Sequence, residues 1–211
     1  MKFDARSYES ILKGDTMEND PISFPEPSTT EEQCDYTLGV YMRCWGELEI
    51  TQQLLFAKLL ETDITSASIV FSALDQRKLR DVSLQLGKTR LQQKHYNDLE
   101  KLIKRCANAA TKRNRIVHGF WQLKLVMGPS PNPKPLMAQS AHWERIYNPL
   151  DRDELYALRS GKDKSVVEKY CFTPERLIDF AKDVRLLANE VGKFAKEIVL
   201  LPVSIPRPID L

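Results

Sequence analysis

Histidine and cysteine are scarce in this chain: three and four residues out of 211. His95, His118 and His142 form no H-x-x-x-H pair, and Cys34, Cys44, Cys106 and Cys171 contain no C-x-x-C. No structural or catalytic zinc site is therefore expected. The dispersed thiols read as reduced cysteines of a cytoplasmic protein. No run approaches the ~18 apolar residues of a membrane span; the stretch Ile198 to Val203 is short and holds Pro202. The opening Met1-Lys2-Phe3-Asp4-Ala5-Arg6 develops no apolar core, so no secretory signal is expected. Gly87-Lys88-Thr89 ends like a phosphate loop, but Val82 occupies the place of its first glycine. Neither G-x-G-x-x-G nor G-x-S-x-G occurs, which removes the dinucleotide fold signature and the serine-hydrolase elbow. Any chemistry is expected to run without metal or cofactor.

Neither sign of charge dominates. Lys plus Arg number 31 and Asp plus Glu 29, a net +2, which excludes a histone-like polycation but not a local basic face. With 42% hydrophobic and 28% charged residues, the chain reads as one globular domain. At this length it can bury roughly 70% of its unfolded surface without metal or disulfide staples.

Periodicity gives the order of elements. Residues 1–28, with Pro21, Pro25 and Pro27 and an acidic excess, read as a flexible arm. Ser28 and Glu31 have capping-box spacing. Leu38, Tyr41, Met42, Trp45, Leu48, Gln52, Leu55, Phe56 and Leu59 then recur at helical intervals, predicting a helix over 30–61. Further helices are expected over 65–86, broken near Asp75 and closed by Gly87, and over 92–118, where Gly119 stands at the usual stop. Trp121, Leu123, Leu125 and Met127 alternate with polar residues, as in a strand. Strands are also expected over 137–147 and Val166 to Phe172, after a proline-rich turn at Gly128 to Pro135. Thr173-Pro174 opens a last helix to about residue 199, and residues 200–211 form an extended tail. The expected fold class is mainly α: an antiparallel helical bundle spanning 29–199, with a small antiparallel β-meander, about 120–172, inserted before the last helix.

Charge is uneven within this frame. Twelve basic residues against four acidic ones give Asp75 to Arg115 a net charge of +8, suited to solvated helix faces or to an anion-binding surface. The sharpest run is Arg113-Asn114-Arg115-Ile116-Val117-His118-Gly119-Phe120-Trp121. Arginine offers a planar fork to phosphate, and histidine titrates near neutrality and can move protons. The spacing is not unique: Arg90 and His95 are also five apart, but Arg90 follows a glycine and is expected in a solvated setting. Glu49 lies inside the apolar stripe of the first helix, and Glu47 lies further round. A carboxylate in that stripe needs a partner, and Arg113 is the expected one.

The run R-N-R-I-V-H-G-F-W resembles the R-x(4–6)-H signature of HEPN-domain ribonucleases, where a polar residue, often Asn, follows the Arg. The resemblance covers the helical scaffold at about 30–119 and 174–199; the sheet region is an elaboration. It implies a homodimer that cleaves RNA without metal, in a toxin–antitoxin or antiviral defence setting, with an antitoxin or regulatory protein as a further partner. It carries Arg113, Asn114 and His118 over as catalytic residues and Glu49 as a supporting one; within the basic segment, Lys112, Arg115 and Arg105 are the expected RNA contacts. It implies no cofactor. In one toxin branch the motif continues as H-x-Y, and the tyrosine accepts a nucleotide modification. Phe120 stands there in this chain and has no hydroxyl. The alternative is a non-catalytic helical module that holds RNA or protein on the basic face.

Overall fold

The computed structural model describes residues 30–127, 138–147, 153, 154, 156, 161 and 163–202. The expected arm over 1–28, the capping Ser28, the proline-rich turn and the tail beyond 202 lie outside the described residues. Helices dominate: α1 (Thr30–Leu60), α2 (Ile64–Ala73), α3 (Gln76–Arg90) and α4 (Gln93–His118) precede strands β1 (Phe120–Met127) and β2 (Ala138–Ile146). The chain then forms α5 (Lys164–Tyr170), β3 (Cys171–Phe172) and α6 (Pro174–Glu197). Among the described residues, no helix is long and apolar enough to cross a membrane.

The expected starts and stops have local causes. Asp63 caps α2 by accepting from Ser66 N, and Asp75 caps α3 by accepting from Lys78 N. The break near Asp75 thus separates two helices, because a carboxylate satisfies the orphan N–H groups that begin the second. Thr173 caps α6 in the same way, with Pro174 following at the first turn.

Three long helices make the main core. Glu47 meets Arg185 and Thr51 approaches Gly192, so α1 and α6 run side by side in the same direction. α4 runs antiparallel to both, with Arg105 against Glu190 and Lys112 against Phe180. Leu48 and Leu59 of α1, Leu99 and Ile116 of α4, and Leu177 and Val191 of α6 are fully buried between them. A smaller core under α2 and α3 contains Phe56, Ala67, Phe71 and Leu79.

Three expectations are corrected. The segment Val166 to Tyr170 is helical, not a strand, because Asp163 accepts from Ser165 N and Val166 N and starts a turn that local β-branching conceals. Only Cys171–Phe172 pairs with β2, with Ile146 opposite Cys171, so the antiparallel sheet has the order β1-β2-β3 and a short third strand.

Gly87 does not close a helix; α3 continues to Arg90. A Cβ at Gly87 would lie 2.2 Å from Leu99 Cδ2, and Leu99 is fully buried. The glycine is therefore a contact point where α3 lies close against α4. Gly87→Ala is expected to lower stability by about 1–3 kcal/mol, because overpacking outweighs the better helix propensity of alanine. Thermal unfolding should register this as a fall of about 2–4 °C per kcal/mol; an unchanged midpoint would mean that Leu99 moves aside freely.

Arg90 is buried, not solvated. Its Nη1 donates to Leu59 O at 2.9 Å and its Nη2 to Glu61, while its own carbonyl accepts from Leu201 N at 2.7 Å. It joins the end of α1 to the end of α3 and to the chain beyond α6. Arg90→Ala should cost about 1–3 kcal/mol by leaving the Leu59 carbonyl without its side-chain donor, measurable by denaturant unfolding. Glu61→Ala, which removes a half-exposed partner, should cost less.

Candidate functional site

α4 remains regular to its last residue, His118. Arg145 of β2 closes that end: its Nε donates to Ile116 O and its Nη2 to Val117 O at 3.0 Å. The guanidinium lies 5.4 Å from the Trp121 ring centroid, so one cation both caps the last carbonyls and sits at the negative end of the helix dipole. Burial lowers its pKa from the ordinary value, with Asp35 opposing. Gly119 belongs here for space. Its φ is −74°, which any residue adopts, but a Cβ would meet Ile146 O at 3.0 Å and Arg115 O at 3.1 Å.

Arg113 turns from this helix end toward α1. It is half-buried, its guanidinium 5.9 Å from the Trp45 ring centroid, and its Nη1 donates to Asn114 Oδ1 at 3.3 Å. Arg113 Nε, Trp45 Nε1 and Tyr41 Oη are all buried with no hydrogen-bond partner among the described residues. Burial pushes the Tyr41 phenol well above its ordinary pKa, and the Arg113 charge opposes that rise. Unsatisfied buried groups cost about 1–3 kcal/mol each. Three of them around one arginine mark a place where packing alone does not account for the residues chosen.

His118 is exposed and makes no polar contact among the described residues. Five positions on a regular helix separate Arg113 from it by about 140° and ~7.5 Å along the axis. Long helical side chains also lean toward the N-terminus. The structure thus brings Arg113 and Asn114 together but aims Arg113 and His118 apart within one chain.

The expected Glu49–Arg113 pair is absent. Glu49 is half-exposed and forms no ion pair among the described residues. The guanidinium instead covers Trp45, one turn earlier on α1. Glu47 is the carboxylate that finds arginines, Arg185 of α6 at 3.2 Å and Arg43 at 3.6 Å, because α6 packs along its flank.

Of the expected RNA contacts, Lys112 lies over Phe180 at 3.9 Å and Arg115 over Tyr170 at 5.1 Å. Arg105 stands apart from both. It is held by Glu190, with Nη2 donating to Oε1 at 3.0 Å, about 20 Å along the helix from His118. Sequence reasoning missed Arg145 and Arg176. The first could be found only through the strand pairing that places it opposite Trp121. The second hides in the first turn of a well-capped helix. Phe120 is exposed at the start of β1. No group of three or more His, Cys, Asp or Glu side chains gathers as metal ligands among the described residues.

Comparisons with family models, curated proteins and solved structures found no match.

Proposed function

We propose that this chain is a metal-independent endoribonuclease of the HEPN type, acting as a homodimer in a toxin–antitoxin or antiviral defence setting. The observation that carries the reading is a guanidinium with no carboxylate partner among the described residues, Arg113, on the same capped helix end as a solvent-facing histidine, His118. In the mechanism, His118 takes the proton of a ribose 2′-hydroxyl, whose oxygen attacks the adjacent phosphorus. Arg113 stabilises the charge that develops on the non-bridging oxygens. Asn114, which accepts from Arg113, orients the guanidinium. The bond to the 5′-oxygen breaks, that oxygen acquires a proton, and the products are a 2′,3′-cyclic phosphate and a 5′-hydroxyl. The divergence of Arg113 and His118 within one chain supports a site that draws Arg from one chain and His from the other.

That same divergence favours a second reading, a helical module that binds RNA or protein without cutting. Incubation of the purified protein with mixed RNA in excess chelator separates the two. Fragments ending in cyclic phosphate support the nuclease, and intact RNA supports the binding module.

A further inference from the structure

Two cations share one ring beside the end of α4. Lys112 Nζ lies 3.9 Å from the Phe180 centroid; Arg176 Cζ lies 5.6 Å from the same centroid and 5.8 Å from that of Phe172. Arg176 is fixed from beneath, with Nη1 donating to Cys171 O at 2.5 Å and Nη2 to Glu168 O at 2.8 Å. Along the same helices other basic side chains have carboxylates: Lys101 takes Asp98, Arg105 takes Glu190, Lys182 takes Asp179 and Arg185 takes Glu47. Lys112 and Arg176 form no salt bridge among the described residues, whereas the Arg115 charge acts on Glu154, the carboxylate that accepts from Tyr170. Burial lowers the Lys112 pKa; the nearby Asp183 carboxylate opposes this, and the smaller effect of Arg176 adds to it. Both cations are seated on a ring and not on a carboxylate, which leaves their charge available to an anion.

We propose that Lys112 and Arg176, seated on Phe180, hold a backbone phosphate of single-stranded RNA, with Arg115 over Tyr170 extending the track. The identity of the polymer rests on the ribonuclease reading. The seat lies about 9 Å along α4 from His118, roughly one or two phosphates along a strand. It therefore grips a flanking phosphate, not the one being cut. Aromatic pedestals suit this role because they fix a cation without neutralising it.

The test uses the full chain and a 2′-O-methyl RNA oligomer, which lacks the attacking hydroxyl, with binding followed by fluorescence anisotropy over a salt series. Lys112→Gln should weaken binding about fivefold at 0.1 M salt and reduce the log–log salt slope by about 0.7, the loss of one single-strand phosphate contact. Lys94→Gln, the same charge change at the far end of α4, should alter neither. Lys112→Arg, which keeps the charge and the ring contact, should bind like the unaltered chain and guards against a folding defect in Lys112→Gln. If ordinary RNA is cleaved while Lys112→Gln binds the oligomer with unchanged affinity and slope, the seat is overturned and the ribonuclease reading stands. If the chain neither binds nor cleaves RNA, that reading fails and the seat with it. Loss of binding to polyglutamate but not to RNA would also overturn the seat, by making its ligand an acidic protein.

Discussion

If the proposed activity holds, His118→Ala is expected to lower RNA cleavage by about 10²–10⁴-fold, the usual contribution of a positioned general acid–base. His118 is exposed, so this change removes little packing, and the melting temperature should stay near that of the unaltered chain. Arg113→Ala brings a comparable loss through the phosphate charge it no longer stabilises. It also uncovers Trp45, so its unfolding must be measured beside its activity. Arg113→Lys separates the two effects: it restores charge but not the planar fork, and only partial activity should return. His95→Ala, at an edge contact with Phe194, leaves cleavage intact. Arg90→Ala is no longer a neutral control, since Arg90 is buried in the joint between α1 and α3. Cleavage that disappears in chelator, or continues at full rate in His118→Ala, rules the mechanism out.

Mixing Arg113→Ala and His118→Ala chains is expected to restore activity to two inactive preparations. In a two-fold dimer whose sites each take Arg from one chain and His from the other, a mixed dimer contains one intact site. Equal amounts exchanged to equilibrium give half mixed dimers, and so about a quarter of the unaltered activity. The regular helix through His118 supports this arrangement, because no unwound last turn is present to swing both groups toward one phosphate. No recovery, with subunit exchange verified, places both groups in one chain. A strictly monomeric active species ends the dimer proposal.

Legibility differed between elements for physical reasons. α4 was readable to within a residue because its apolar positions repeat over seven turns and Gly119 stands beyond its end. The split at Asp75 was readable because aspartate before a helix has one strong local use. Residues 166–170 misled because two adjacent valines mimic a strand, while the deciding bonds come from Asp163, three positions earlier. Gly87 misled because a glycine signals either a stop or a close contact, and the difference lies in Leu99 on another helix.

The candidate site divides along the same line. The order of the long helices, the insertion of a small sheet before the last helix, and the gathering of Arg113, Asn114 and His118 on the last turns of α4 follow from the sequence alone. They depend on neighbours within a few residues, where helical period and capping chemistry operate. Tertiary structure decided which carboxylate meets which guanidinium. Glu47 and Glu49 differ by two positions, and only the packing of α6 against α1 selected Glu47. It also set Trp45 under Arg113, drew Arg145 from the sheet onto the last carbonyls of α4, and placed Lys112 and Arg176 on one ring. Each of these joins residues distant in the chain, and such contacts are determined by how helices and strands pack, a property no local window of sequence contains.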